Sequence, residues 1–196
     1  MKAEKKIRLA SESDASSLLD IYSPFVKNTV ITFEYEAPTV ADFRSRISNT
    51  LRKYPWLVCE IDDRIVGYAY ASQYSERLAY DWSATSSIYV DPNYSRRKIA
   101  TELYHCLFAL LKLQGFYNVY AAYTLSNKNS AAFHESLGFK SVGIYHNVGY
   151  KFGEWHDVKW CAKTLREHMK SPEKPKTILE ISQTKEFAQI ISKMDG

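Results

Sequence analysis

Two short segments hold most of the side chains able to do chemistry in this 196-residue chain. The first is Ile88-Tyr-Val-Asp-Pro-Asn-Tyr-Ser-Arg-Arg-Lys-Ile-Ala100, which reads as a strand, a loop and the opening of a helix. A helix start presents main-chain N–H groups without intrahelical acceptors and a partial positive charge, so it draws anions. Arg96, Arg97 and Lys98 work against a helix at that point, each misplaced cation costing roughly 0.3–1 kcal/mol when exposed and unpaired. Phosphate oxygens seated in the turn would remove the conflict; the alternative is three solvated surface cations. A cationic run this short suits a compact phosphorylated ligand better than a nucleic-acid duplex.

The second segment is Asn127-Lys-Asn-Ser-Ala-Ala-Phe-His-Glu-Ser-Leu-Gly-Phe139. Its polar start and short helix place Asn127 and Ser130 near a strand end, where ligand sites of α/β proteins gather. His134 follows Ser130 by four residues, so both project from one helical face. An imidazole titrates near neutrality and can move a proton. Taken alone, a lone helical histidine is more often a plain surface residue.

The elements that position these segments follow from periodicity. Residues 4–10 read as a strand, and Ser13 caps a helix to about Lys27 with Ala15, Leu18, Leu19 and Tyr22 at helical spacing. From Pro24 to Pro38 the chain reads as irregular. Thr39-Val-Ala-Asp42 resembles a capping box for a second helix bearing Phe43, Ile47 and Leu51, which Pro55 ends. Residues 56–61 and 64–71 form a hairpin about Asp62 and Asp63, and 84–90 another strand. Ile99, Leu103, Cys106, Leu107 and Leu110 mark an amphipathic helix stopped by Gly115. A strand at 117–123, a helix at 130–137 and strands at 139–145 and 157–164 follow. The order β-α-α-β-β-β-α-β-α-β-β predicts an α/β (mixed α+β) domain over residues 1–165, with helices on the faces of a mixed sheet. Residues 166–176 read as a polar, proline-interrupted linker. Residues 178–194 read as one amphipathic helix, with Ile181, Phe187, Ile190, Ile191 and Met194 available to pack; docking on the core is preferred over contact with a partner subunit or a mobile tail.

Bulk properties narrow the function further. Apolar residues at 45% and charged residues at 24% are globular proportions, and a formal charge of +4 is too small to argue for nucleic acid. Cys59, Cys106 and Cys161 match no metal spacing and read as buried thiols of a reducing compartment. No apolar stretch approaches the ~20 residues needed to cross a bilayer. The first eight residues lack the apolar core of a secretory signal. A cytoplasmic protein without metal, membrane or nucleic-acid partner is expected.

In order and content these segments resemble the GNAT superfamily of acyl-CoA N-acyltransferases and, within it, the phosphinothricin N-acetyltransferases. The resemblance covers about residues 6–165. Its most specific pieces are Tyr54-Pro-Trp-Leu-Val58, Ala79-Tyr-Asp-Trp82, Gly115-Phe116, His134-Glu135 with Leu137-Gly138, and Gly149-Tyr-Lys151 with Trp155-His-Asp-Val158. It implies a mostly antiparallel central sheet, acetyl-CoA as co-substrate, a small-molecule amine as acceptor and a homodimer. It also implies that the backbone of Ile88, Tyr89 and Val90 lies along the pantetheine and acetyl group, one strand N–H polarising the thioester carbonyl. Ser95, Arg96, Arg97, Lys98, Ile99 and Ala100 would wrap the pyrophosphate, with Asn127 and Ser130 beside the pantetheine. His134 would protonate the departing thiolate or help deprotonate the amine. Arg77 would face an acid group of the acceptor, as its fork-shaped cation suits, with Phe33 and Tyr80 nearby.

Two departures stand out. The family's phosphate turn carries Gln or Arg first and a central glycine, whereas this chain has Ser95 and Lys98; glycine there lets the backbone approach the phosphates. The branch's glutamate before the central strand is replaced by Thr85, no useful base at neutral pH. General-base help is typically worth 10²–10⁴-fold, so His134 takes the role, the acceptor has a low pKa, Glu34 in the loop over the substrate substitutes, or the protein is slow; by itself Glu34 reads first as a solvated loop carboxylate. The expected activity is acetyl transfer to a small amino acid or analogue of the phosphinothricin or methionine sulfoximine type. The alternative is a weakened acyl-CoA-binding module that senses rather than turns over.

Overall fold

The computed structural model describes residues 5–193. The described residues contain one sheet, ordered β1-β2-β3-β4-β5-β7-β6. Its strands are β1 (Lys5–Leu9), β2 (Trp56–Ile61), β3 (Arg64–Gln73), β4 (Ser83–Val90), β5 (Asn118–Thr124), β6 (Lys140–Lys151) and β7 (Glu154–Thr164). The helices are α1 (Ala15–Asn28), α2 (Val40–Thr50), α3 (Ile99–Gln114), α4 (Lys128–Ser136), α5 (Ile178–Ile181) and α6 (Lys185–Ser192). Successive side chains of a strand point to opposite faces, and both faces are covered here. Trp56, Val58 and Tyr68 pack beneath α1 and α2. Leu57, Cys59 and Ala69 pack beneath α3, with α4 and α6 side chains at the margin.

Local chemistry sets most boundaries. Asp62 and Asp63 at φ 49° and 62° make the left-handed two-residue turn that the β2–β3 hairpin needs. Thr39 Oγ1 accepts from the Asp42 amide at 3.1 Å while Asp42 accepts from the Thr39 amide at 3.2 Å, completing the expected capping box. Gly115, at φ 105°, closes α3 as expected.

The β4–β5 pairing is parallel and short: Ser83↔Asn118, Ala84↔Val119 and Thr85↔Tyr120. The other neighbouring pairs are antiparallel. β4 stays paired to β3 along its whole length and β5 to β7, so beyond Thr85 and Tyr120 the two central strands splay apart.

Four expectations need correction. The first helix runs through Pro24 to Asn28, because its last turn is held from outside: Val26 lies in the core and its carbonyl takes a hydrogen bond from Lys151. Ser13 is not its cap; Ser11 opens a single 3-10 turn, Glu12–Asp14, and Asp14 precedes the helix. The last two strands extend to a turn at Phe152 and Gly153, φ 53° and 82°. A register shift between Tyr145 and Gly149 hid this extension, and Asp157 braces it by accepting from the Asn147 amide at 2.8 Å. The C-terminal extension is two helices, since Thr177 and Thr184 each cap a start of their own. Residue 4 and Met194 lie outside the described residues.

The tail is joined to the body by its main chain. Gln114 Nε2 donates to the carbonyls of Lys53 and Lys176, both at 2.7 Å, and the Ile178 amide donates to the Lys53 carbonyl at 3.0 Å. Ile178 and Ile181 are buried with the α3 core. Ile178→Ala is therefore expected to lower stability by about 2–4 kcal/mol, read from the urea midpoint.

Candidate active site

The splay between β4 and β5 opens the site. The Asp91 amide donates to the Val66 carbonyl at 2.9 Å, which turns residues 91, 89, 87 and 85 toward β3. By alternation the main-chain groups of Ser86, Ile88 and Val90 face the splay, where no β5 partner meets Ile88 or Val90. Half-buried N–H groups without a strand partner are open to an acceptor from outside the sheet. A cavity of about 60 Å³ lies here, lined by Ser86, Ile88, Tyr104, Asn127, Ser130 and His134 among others.

His134 is 4% exposed, which overturns the surface reading. Gly138, at φ 81°, ends α4 so that Phe139 folds back against the imidazole, ring centres 5.1 Å apart, while Tyr123 stacks on it at 5.3 Å. Nδ1 lies 2.8 Å from the Ser130 carbonyl, which can only accept, so the proton sits on Nδ1. Nε2 then offers a lone pair toward the Tyr104 hydroxyl at 3.4 Å. Burial lowers the imidazole pKa below its ordinary value, although the Ser130 bond opposes this. The resting side chain is neutral. Of its two expected roles, the geometry favours proton acceptor over donor. Asn127 caps α4, its side chain accepting from the Ser130 amide at 3.0 Å.

At the other end of the splay, Arg96 and Lys98 sit at φ 61° and 62°. Lys98 precedes α3 in the left-handed region and its side chain makes no capping bond, so the donors of the first turn stay open to a ligand. Ser95, Arg96, Arg97, Lys98, Ile99 and Ala100 line a cavity of about 280 Å³ with Val90, Tyr94 and Phe133. Arg97 stands 5.0 Å over the Tyr94 ring. Gly67 lets the helix start come close, since a Cβ there would meet Val90 and Ile99 methyls at 3.1 and 3.2 Å. Open helix donors, clustered cations and an adjoining strand edge fit a pyrophosphate with a pantetheine arm.

The opposite face of β4 carries Thr85, Ser87 and Tyr89. The Thr85 hydroxyl is committed to Ser72, 2.6 Å from its Oγ, and does no base chemistry. Glu34 Oε1 accepts from Arg46 at 2.6 Å. It stands near a hydroxyl cluster in which Tyr22, Tyr70 and Tyr89 have pKa values raised mainly by burial, with the Glu34 charge adding to each. Phe33, beside it, stacks on His156 with ring centres 6.1 Å apart.

The structure thus gathers Phe33 and Glu34 on the α1–α2 face, and His134, Asn127 and Ser130 on the α3–α4 face. It does not bring Arg77 or Tyr80 to either. Both are exposed on the β3–β4 connection. Tyr80 lines a separate groove of about 410 Å³ with Tyr74, Tyr120, Val142, Tyr145 and Trp160. A larger cavity, about 760 Å³, lies elsewhere, between α1 and the β2–β3 hairpin. Arg8–Asp14, Arg8–Glu60 and Arg64–Asp91 are ion pairs within its lining, which also carries Asp20 and Asp63. Ser86 is one of three consecutive hydroxyl residues and Tyr104 one aromatic among the core positions of α3, so nothing local singles them out; only the fold turns them toward the cavity.

Two outcomes are expected from these geometries. Lys98→Gly removes a left-handed Cβ and should raise stability by about 1 kcal/mol, seen as a higher melting temperature, whereas Lys98→Val should lower it. For His134, the unfolded chain takes up a proton before the folded one as pH falls. Stability is therefore complete above pH 6.5 and declines below it toward the folded pKa; His134→Gln should flatten that part of a urea-midpoint profile.

Comparison with known proteins addresses the same region. The family model described as Acetyltransferase (GNAT) domain matches residues 7–160. A phosphinothricin N-acetyltransferase of Streptomyces viridochromogenes is 34% identical, covering 78% of this chain and 84% of its own. One from Streptomyces coelicolor is 33% identical over 83% and 98%. The crystal structure of a phosphinothricin acetyltransferase from Sinorhizobium meliloti in complex with AcCoA superposes with a TM-score of 0.82, at 31% identity over 88% of this chain and 94% of that one. The family match runs from β1 into β7 and so takes in both strands of the splay and both cofactor-side helices: the chain belongs to the GNAT family and is an acetyl-CoA-dependent N-acetyltransferase.

Proposed function

We propose that this enzyme acetylates the primary amine of a small amino acid or analogue bearing an acid group, of the phosphinothricin or methionine sulfoximine type. The observation that carries the reading is the splay itself. It places unpaired strand donors between an anion-seeking helix start on one side and a carboxylate among hydroxyls on the other. Relatives named for phosphinothricin support the acceptor class.

Acetyl-CoA supplies an activated acyl group, its C–S bond breaking as the new C–N bond forms. The turn from Ser95 to Ala100 holds the pyrophosphate, and the edge of Ile88 and Val90 orients the arm. A main-chain N–H of that edge donates to the thioester carbonyl and stabilises the charge that develops on its oxygen. Glu34, held by Arg46, accepts the proton that the ammonium must lose, taking the place that Thr85 cannot fill. On the cofactor side His134 Nε2, beside the Tyr104 hydroxyl, takes the second proton from the nitrogen once the C–N bond has formed and returns it to the sulfur as the C–S bond breaks.

We assign a homodimer to the open face of the β6–β7 hairpin. Val142, Tyr145, Val148, Phe152 and Trp155 are each more than half exposed there, with Leu78 72% exposed on the β3–β4 connection. Contiguous apolar surface of this kind marks an interaction site. A cytoplasmic location fits the three buried thiols; burial pushes Cys59 and Cys161 up to about 11, so neither is reactive. Among the described residues no helix is long and apolar enough to cross a membrane.

Thiol release from acetyl-CoA with a panel of amino acids, phosphinothricin and methionine sulfoximine included, tests the activity. Amine-dependent release is expected; acetyl-CoA binding without it would make this a binding module instead. Glu34→Gln should lower kcat about 10²–10³-fold with acetyl-CoA affinity unchanged, and Thr85→Glu should then bring no gain. His134→Ala should depress turnover more than acetyl-CoA binding. Trp155→Asp should shift the protein toward monomer in sedimentation.

A further inference from the structure

Lys151, the last residue of β6, is used in an unexpected way. It is 1% exposed, and its ammonium donates to three carbonyls: Val26 at 2.7 Å, Thr29 at 2.9 Å and Thr32 at 2.8 Å. An ammonium has three N–H donors, and burying one is tolerable only when they are used. All three acceptors belong to the end of α1 and the irregular stretch that leads to Thr39. The C-terminal end of α1 also presents the negative pole of its helix dipole to the charge.

The two residues before Lys151 hold the same stretch. The Phe33 ring occupies the space above Gly149, where a Cβ would overlap it. The Tyr35 hydroxyl donates to the Tyr150 carbonyl. Gly149, Tyr150 and Lys151 thus contact residues 26, 29, 32, 33 and 35, and Glu34 stands between two of the gripped positions. An irregular loop loses about 1–2 kcal/mol per residue in backbone entropy on ordering. A base held on such a loop works only if something rigid fixes it.

We propose that the β6–β7 hairpin is a clasp for the acceptor loop, with Lys151 as the positioning residue that sets where Phe33 and Glu34 stand beside β4. The inference rests on the reading of Phe33 and Glu34 as acceptor-side residues. Lys151 touches no reacting atom; it acts through the loop.

Two variants test the clasp in the full-length enzyme. Lys151→Met keeps the stem and removes the ammonium, and Gly149→Ala pushes the Phe33 ring away while leaving every charge in place. Kinetics with the best amine, calorimetry with acetyl-CoA and hydrogen exchange at residues 29–38 are the readouts. Lys151→Met should lower kcat/KM for the amine at least about tenfold. Gly149→Ala should lower it in the same direction by less. In both, acetyl-CoA affinity should stay within about twofold and exchange at 29–38 should accelerate. If Lys151→Met does not fold, Gly149→Ala decides. Amine kinetics and loop exchange unchanged in the folded variants would overturn the clasp, as would acetyl-CoA affinity falling in step with the amine term. A wild-type enzyme without turnover on any amine would defeat the acceptor reading alone, because loop exchange still reports on the clasp.

Discussion

Three residue pairs hold β4 to β5, and the site depends on that ladder being no longer. A main-chain N–H withdrawn from water must find an acceptor, and in the middle of a sheet the neighbouring strand normally provides one. Here each central strand is fully engaged on its outer edge, β4 with β3 and β5 with β7, and neither can close the gap without breaking its outer ladder. The donors of Ile88 and Val90 are left for a ligand that is extended, narrow and rich in acceptors. A pantetheine arm has that form. The fold thus stores binding capacity as an unfinished sheet, with no side chain devoted to it.

Because strand residues alternate in direction, the same β4 separates two chemistries. Ser86 faces α3 and α4, where Tyr104 and His134 form a buried, neutral hydrogen-bonded pair. Thr85, Ser87 and Tyr89 face α1 and α2, where a carboxylate paired with Arg46 meets a cluster of hydroxyls. The donor of the acyl group and its acceptor can then approach from opposite faces and meet only at the splay. Such an arrangement favours direct transfer, since proximity and orientation alone account for much of a bimolecular barrier.

The phosphate turn shows how local strain and binding trade against each other. Two non-glycine residues, Arg96 and Lys98, occupy left-handed conformations there. Each loses roughly 1–2 kcal/mol relative to its preferred backbone state, and each adds a positive charge at the place proposed for the phosphates. Where the family pattern has a flexible glycine, this chain has a strained lysine: less stable when empty, more attractive to an anion.

Much of the fold was legible because it is written in local chemistry. Thr39 with Asp42, the pair Asp62 and Asp63, Gly115 and the apolar spacing from Ile99 to Leu110 each dictate a cap, a turn or a face through contacts only a few residues apart. The cationic run at the start of α3 was legible for the same reason. Other features depend on residues distant in sequence. Pro24 stays helical because Lys151, 125 residues away from Val26, holds the last turn. His134 is buried because α4 packs against Tyr104 and Tyr123, and periodicity over nine residues cannot say what lies opposite. The sequence by itself determined the elements, their order and the anion-seeking turn, since these follow from backbone preferences and short-range hydrogen bonds. Only the tertiary structure decided that β4 and β5 part after Thr85, which tautomer His134 adopts and what anchors Glu34, since each depends on which distant group is left to satisfy a buried donor or charge.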